Sequence, residues 1–203
     1  EMFMLGRRNG LLALDEHVSA PESSSIFQNY PGFLADEDKV TFLCSALRPI
    51  IDGKIKPDQL EPLLKAEIDA KKHAAHGPIN VLHLVGDSLP GIGIIAAVMG
   101  IILTMSVIDQ GPTVIGHKIS AALSGTFYGV FGAYGFVNPL CNLIEFANEA
   151  EENYYICMSR AIGAFARGLA PIMAVELARR SLEAGLVPNA DDLENILKST
   201  TGN

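Results

Sequence analysis

The chain has 203 residues, of which 49% are hydrophobic, and its formal net charge is −8. This acidic balance argues against a nucleic-acid-binding protein, because phosphate contacts need a basic face. The hydrophobic content is high for a soluble protein and is concentrated in two segments, 81–105 and 117–144, so the composition favours an integral membrane protein.

The first 80 residues are predicted to form a cytoplasmic helical region. Over 1–20, a helical pattern runs along the chain and ends before Pro21. Its apolar side is expected to consist of Leu5, Leu11, Leu12 and Leu14. Its charged residues are expected to face solvent, and these are Arg7, Arg8, Asp15 and Glu16.

Two further amphipathic helices follow in this region. The second helix is expected to start at an acidic cap, Asp36 or Asp38, and to end near Gly53. The third begins near Pro57, because proline is favoured in a first helical turn, and ends at the lysine pair that precedes 73–80. Residues 73–80 are then expected to link this region to the membrane.

The segments 81–105 and 117–144 each exceed the roughly 20 residues that a helix needs to cross a bilayer, and both are predicted to be transmembrane helices. The loop between them, 106–116, has no Lys or Arg, whereas nearly all basic residues lie before or after the pair of spans. The positive-inside rule therefore places both chain ends in the cytoplasm and the loop in the periplasm. The alternative is a pair of buried helices in a large soluble core, which rarely stay uncharged for so long.

The second span carries a stripe of small residues, which lets another helix backbone approach closely. The stripe recurs every four positions and consists of Ala121, Gly125, Gly129 and Ala133. Counted outward from the centre of the loop, Ala97 and Thr126 lie at nearly the same depth, so Thr126 is a candidate to face Ala97 across a shared cavity. The alternative for Thr126 is a hydrogen bond to its own preceding turn.

The tail, 145–203, is predicted to be helical and cytoplasmic. Its apolar residues alternate by three and four positions, which is typical of a seam that packs on partner helices. These residues are Tyr155, Met158, Ile162, Phe165, Leu169 and Ile172. Pro171 lies inside the seam and should kink the helix or mark a break. A last short helix is expected over 191–198, followed by a frayed end at 199–203.

The sequence lacks a catalytic constellation and a metal-ligand spacing, and its three cysteines indicate reduced thiols rather than disulfides. Asp15, Glu16 and His17 are adjacent, but adjacent residues point apart on a helix, so an enzyme is not indicated. Intramembrane ion pathways normally use a carboxylate or histidine well inside the bilayer, whereas the ionisable residues here lie near the ends of the spans. A titrating group for ion flow is therefore expected from a missing segment or a second subunit.

Three motifs carry a family resemblance. The segments VGDSLPGIGIIAAVMGI (85–101), ISAALSGTFYGVFGAYGFVNPL (119–140) and GLAPIMAVE (168–176) resemble the third and fourth transmembrane helices and the tail of flagellar stator subunits in the MotA/TolQ/ExbB proton channel family. Residues 7–34 resemble the start of the cytoplasmic region of these proteins. The resemblance implies an all-α integral membrane protein of the bacterial inner membrane, in contact with lipid, with two transmembrane helices before Glu1.

The resemblance also implies partners and a function. Subunits of this kind form a pentameric ring around a dimer of a MotB-like subunit, which carries the ion-binding carboxylate, and ion flow produces torque on the rotor through the switch protein FliG. Neither an enzymatic activity nor a cofactor is implied. Pro90 and Pro171 match prolines implicated in torque generation. Arg7 and Asp15 match charged residues that face the rotor, and their neighbours, Arg8 and Glu16, are candidates to share this task.

The family resemblance also bears on the coupling ion and on the alternative functions. Sodium-driven members have a threonine where this chain has Ala97, opposite the threonine that matches Thr126, so loss of one oxygen favours protons over sodium. The alternative function is an ExbB/TolQ-like energising subunit that drives a periplasm-spanning transport or envelope system. A membrane enzyme would need convergent catalytic groups, and a transporter would need polar groups at mid-bilayer.

Overall fold

The computed structural model describes residues 1–182, 187–189, 191, 193 and 195–197, and no strand occurs among them. Their α-helices, in chain order, are α1 (Met2–Asn9), α2 (Asp15–Ser19), α3 (Ser25–Gln28), α4 (Pro31–Leu34), α5 (Glu37–Ile51), α6 (Pro57–Met105), α7 (Pro112–Gly132), α8 (Asn138–Ala166) and α9 (Pro171–Arg179). A π-helical segment, Ala133–Val137, joins α7 to α8. The all-α class predicted from the sequence is therefore confirmed.

The chain divides into two compact units. The first, which we call the helical unit, combines Glu1–Lys71 with the described residues from Ala150 onward. The second, which we call the hairpin unit, is Lys72–Glu149. The long helices α6 and α8 each contribute residues to both units. The predicted boundaries at 80/81 and 144/145 therefore fall inside continuous helices.

The helical unit has an apolar core built from α5, the first turns of α6 and the second half of α8. Its fully buried large side chains include Phe42, Leu47, Leu60, Leu64 and Ile162. The two ends of α5 lie where the sequence predicts them, because a capping side chain precedes the helix and a glycine follows it. The Asp36 side chain accepts a hydrogen bond from the Lys39 backbone N–H at 3.1 Å, and Gly53 takes a φ of 64° just after the helix ends.

The first twenty residues form two short helices rather than one. Gly10 ends α1 with a φ of 86°, and a 3-10 turn, Leu11–Leu14, leads into α2. Because this turn changes the direction of the chain, the predicted one-sided set of leucines does not form. Leu14 is buried, whereas Leu11 and Leu12 are exposed. The charged residues predicted to face solvent do so.

The predicted end of the third helix at the lysine pair is wrong, because α6 continues without interruption through residues 73–80. Pro78 removes one intrahelical hydrogen bond, a local cost that favours a break in a sequence-based prediction. Tertiary contacts offset this cost. Ile79 is buried, and the Asn148 side-chain amide donates to the Ala75 carbonyl at 3.4 Å from α8.

The loop between the two predicted spans is shorter than expected. Gly111 has a φ of 93° and Pro112 occupies the first turn of α7, so the helix begins at Pro112 and the loop predicted at 106–116 ends at Gly111. The predicted span 117–144 therefore starts inside α7, crosses the π-helical segment and ends inside α8.

The predicted seam of the tail is only partly present. Tyr155, Ile162 and Phe165 are buried, but α8 ends at Ala166. Pro171 starts α9, so it marks a break rather than a kink, and Ile172 is 55% exposed on the new helix. Of the predicted final helix over 191–198, residues 191, 193 and 195–197 are helical. Its other residues and the predicted frayed end at 199–203 lie outside the described residues.

Candidate functional site

Among the described residues, one helix, α6 (Pro57–Met105), is long and apolar enough to cross a bilayer by length and composition. Between Asp87 and Met105 it carries no ionisable side chain. The 21 residues of α7 are about 30 Å long, comparable with the hydrocarbon thickness of a bilayer, but His117 and Lys118 lower its apolar character near the start. The second transmembrane span stays a prediction.

In the hairpin unit, α6 and α7 approach so closely that side chains would not fit between them. A Cβ placed on Gly93 would lie 2.9 Å from the Gly125 carbonyl oxygen, and one on Gly129 would lie 2.5 Å from the Leu89 carbonyl oxygen. A Cβ on Gly100 would collide with the Ala122 side chain. This is the close backbone packing that small residues permit between membrane helices.

Two positions of the small-residue stripe predicted on the second span, Gly125 and Gly129, lie in the contact with α6. Ala133 is fully buried. Ala121 is exposed, and Ala122, 4% exposed, packs against α6 in its place. A step of four residues overshoots a 3.6-residue turn by about 40°, so a strict four-residue repeat rotates away from the contact. The contact face instead mixes steps of three and four.

Thr126 joins the two helices of this contact. Its hydroxyl donates to the Gly93 carbonyl oxygen across the interface at 3.1 Å. The predicted alternative, a hydrogen bond to its own preceding turn, is therefore not what forms, although Ser124 and Thr104 make such bonds within their helices. Thr126 therefore lies level with Gly93, one turn before Ala97, and the predicted cavity shared with Ala97 stays a prediction.

Pro90 lies on the stretch of α6 that packs near the π-helical segment. Because proline has no N–H, the Gly86 carbonyl lacks its usual helical donor. Gly86 is buried and packs against Asn138, the first residue after the π-helical segment. The Asn138 Oδ1 atom is buried and has no hydrogen-bond partner among the described residues. The π-helical turn thus faces the segment of α6 that Pro90 weakens, and π-helical turns occur frequently at functional sites.

A polar pair, His83 on α6 and Glu145 on α8, joins the two helices, and His83 precedes Pro90 along α6. The His83 Nε2 and Glu145 Oε1 atoms lie 3.1 Å apart, and both side chains are between one third and two fifths exposed. The sequence identified His83 only as an ionisable residue near the start of a span. Its partner, Glu145, lies 62 residues further along the chain. This pairing can be predicted only when it is known that α6 and α7 run antiparallel with Gly93 beside Gly129.

The four residues expected to face the rotor lie close together in sequence around one turn of the helical unit. Arg7 and Arg8 occupy the last turn of α1, and Asp15 and Glu16 the first turn of α2. All four are exposed, and none forms an ion pair within the described part of the chain. Gly6 allows this turn to fold back, since a Cβ there would lie 2.8 Å from Phe165 and 2.9 Å from Leu14.

The helical unit also contains a cavity of about 610 Å³ beside α6, α8 and α9. Three carboxylates and three cations are among its lining residues: Glu61, Asp69, Glu152, Lys65, Arg160 and Arg167. Arg167 pairs with Glu61 there. Because the charges balance, the cavity has no preference for an ion of one sign, and it adds no residue to the ion pathway predicted in the spans.

Comparison with known proteins decides the family. A sequence model described as the MotA/TolQ/ExbB proton channel family matches residues 35–155. The chain belongs to this family. It is 34% identical over 196 residues to the chemotaxis protein LafT of Vibrio parahaemolyticus, a match that covers 97% of this chain and 69% of LafT. It is also 34% identical to motility protein A of Salmonella typhimurium and of Escherichia coli, over 95% of this chain and 65% of each relative.

Solved structures of family members share this fold. The C. jejuni MotAB structure matches with a TM-score of 0.74 and 22% identity, over 90% of this chain and 64% of that chain. The flagellar MotAB stator complex from Bacillus subtilis matches with a TM-score of 0.72 and 24% identity, over 91% of this chain and 65% of that chain. At these identities the likeness establishes the fold alone. The chain spans about two thirds of the length of the curated relatives that it matches.

Membership of the MotA/TolQ/ExbB family confirms the resemblance read from the three motifs, and it makes the chain a membrane protein. The family is a proton channel family by description and not a class of enzymes. The roles predicted for Pro90, Pro171, Ala97 and Thr126, the rotor-facing charges and the choice of coupling ion stay predictions.

Proposed function

We propose that this chain is a subunit of a bacterial flagellar stator in the inner membrane, where a ring of such subunits surrounds a MotB-like dimer and couples ion flow to rotation of the flagellar rotor. The observation that carries the proposal is the identity of 34% over 95% of the chain to proteins named motility protein A. The fold shared with the MotAB structures supports it. An enzymatic activity is no part of the proposal.

The hairpin unit supplies a place for conformational change. A helix moves most easily where its backbone hydrogen bonds are incomplete, and Pro90 and the π-helical segment provide two such places against each other. On either side of them, the close contact of Gly93 with Gly125 and the His83–Glu145 pair join the helices. In this proposal, ion movement beside the hairpin changes the local geometry at Pro90, and α6 and α8 carry the change into the helical unit.

Protons are the proposed coupling ion. A sodium site needs several oxygen ligands, but position 97 is an alanine and the Thr126 hydroxyl already donates to the Gly93 carbonyl. The stretch of α6 from Leu89 to Met105 offers no ionisable group. The carboxylate that binds the proton is therefore assigned to the partner chain, where an intramembrane acid would be expected in an ion pathway.

The helical unit is proposed to lie in the cytoplasm and to contact a FliG-like rotor protein. Basic residues at the end of α1 and acidic residues at the start of α2 are exposed and form no ion pair within the described chain, so a partner of complementary charge can meet both. An ExbB/TolQ-like energising subunit has the same overall layout but needs no rotor contact, so the importance of these charges separates the two functions.

The test is swimming by a strain that lacks this gene but still assembles flagella. Full-length wild type should restore swimming, and Asp15→Lys should fail at equal membrane abundance. The matched control is Asp58→Lys, an exposed acidic residue on α6 of the same unit that lies outside the lining of the charged cavity, and this variant should swim. Normal swimming by the deletion strain, with no second stator gene present, would exclude the stator function and favour the ExbB/TolQ-like one.

A further inference from the structure

The most exposed large hydrophobic side chain among the described residues lies outside the membrane hairpin. It is Leu12, which is 81% exposed, whereas exposed side chains of the apolar helices such as Leu84 and Tyr128 reach 67% and 69%. Lipid or neighbouring subunits would cover side chains of the hairpin. Leu12 belongs to the helical unit, and the described residues of the chain leave its side chain uncovered.

The backbone around Leu12 holds its side chain away from the core. Gly10 turns the chain with a φ of 86°, and Leu11–Leu14 forms a 3-10 turn in which residues three apart point in the same direction. Leu14 is fully buried against Gly6. At three residues per turn, Leu12 points about 120° away from Leu14, and it faces out.

Charged residues border Leu12 on both sides along the chain. Arg7 and Arg8 precede it, Asp15 and Glu16 follow it, and all four are exposed. A central apolar side chain inside a polar rim is the usual anatomy of an interface hot spot. Exposed single leucines are common on protein surfaces, but this one coincides with the charges that the proposed function assigns to partner contact.

We propose that Leu12 is the apolar anchor of the rotor contact, and that it inserts into a pocket on the rotor protein bordered by acidic groups toward Arg7 and by basic groups toward Asp15. This inference rests on the proposed function, because it assigns the occupant of the surface to the rotor. Charge complementarity orients the partner and speeds encounter, while burial of the leucine slows dissociation.

The first experiment compares variants of the full-length protein, with its membrane partner, in motile cells. Leu12→Ala should weaken rotor binding about tenfold, seen as fewer fluorescently tagged stator units at each motor, since truncation of a hot-spot residue removes its packing. Leu12→Met keeps the apolar volume and should bind within about twofold of wild type. Leu63→Ala, at a position 51% exposed on α6, is the matched control and should leave occupancy unchanged.

The second experiment keeps the inference testable if Leu12→Ala lowers membrane abundance. A photoreactive benzoylphenylalanine at position 12 should cross-link to the rotor protein on illumination, and the same residue at position 63 should not. The two variants are compared as separate complementations of one deletion strain. If Asp15→Lys abolishes swimming but Leu12→Ala gives full motor occupancy, the role of Leu12 as an anchor is overturned and the stator function is unaffected. Swimming by Asp15→Lys as well, in a deletion strain that needs the wild-type gene to swim, would overturn the rotor contact at this surface together with the anchor, whereas normal swimming by the deletion strain itself would overturn the stator function.

Discussion

Gly93 offers the sharpest test of how the hairpin unit is held together. Gly93→Ala adds a Cβ that would lie 2.9 Å from the Gly125 carbonyl oxygen and 3.0 Å from the Thr126 Cα. Both are backbone atoms of α7, so no side-chain rotation can relieve the contact. The two helices must separate by several tenths of an ångström, and the 3.1 Å hydrogen bond from Thr126 to Gly93 must lengthen.

The expected cost follows from overpacking. One extra methyl in a close-packed contact destabilises by about 1–3 kcal/mol, which corresponds to a fall in melting temperature of roughly 3–10 °C for a chain of this size. Gly91→Ala is the matched control on the same helix, because a Cβ there meets no atom within 4 Å. Replacing that glycine should be neutral, or stabilising by up to about 1 kcal/mol through helix propensity.

The assay is thermal unfolding of the purified full-length protein in detergent, followed by circular dichroism, for wild type and both variants. A melting temperature for Gly93→Ala equal to that of Gly91→Ala would refute the reasoning, since the two changes add the same atom and differ only in what the atom meets. An equal fall in melting temperature for both variants would indicate an effect of alanine on α6 as a whole and not on its contact with α7.

Three further predictions follow from single interactions. Thr126→Val should lower stability in the same unfolding assay by about 0.5–1 kcal/mol, while Thr126→Ser stays near wild type, because only valine removes the interhelical donor. Hydrogen bonds from Arg179 and Arg180 lower the pKa of Glu176 from 4.5 to about 2. The ionised Glu176 therefore stabilises the fold fully above pH 4.5, and this contribution is lost as the pH falls toward 2. In a pH series of unfolding measurements, Glu176→Gln should lack this part of the acid dependence. A double-mutant cycle on His83 and Glu145 should give a coupling of about 0.2–1 kcal/mol, since the two side chains lie within hydrogen-bond distance and are partly exposed.

The sequence predicted best what depends on neighbouring residues. The Asp36 cap, the turn at Gly53 and the start at Pro57 are local choices of the backbone, and each lies where the sequence places it. The long apolar segment of α6 is equally local, because hydrophobic content alone identifies it. The family resemblance located the charged residues around the first turn, which composition would have left as an ordinary solvated surface.

The misplaced features depend on contacts between distant residues. Continuity of α6 through residues 73–80 is supported by the burial of Ile79 and by a hydrogen bond to a residue 73 positions away, and a sequence pattern carries no trace of either. The exchange of Ala121 for Ala122 in the α6–α7 contact reflects a rotation of α7 that a four-residue repeat does not specify. The separation of Leu12 from Leu14 has a local cause instead: the helical periodicity that places them on one side does not continue past Gly10, where the backbone turns.

Pro90 and the π-helical segment become informative only when they are considered together. A proline in a membrane helix is tolerated wherever neighbouring groups compensate for the lost bond, so Pro90 alone indicates no more than a shaped helix. Here the opposing element, Ala133–Val137, is also irregular, and Gly86 packs directly on Asn138, whose Oδ1 atom is left without a partner within the described residues. Proline and π-helical turns are both places where helices bend, and here the two face each other, so the proposed function places its conformational change at this point. The close contacts at Gly93 and Gly129, next to this segment, would confine that change to it.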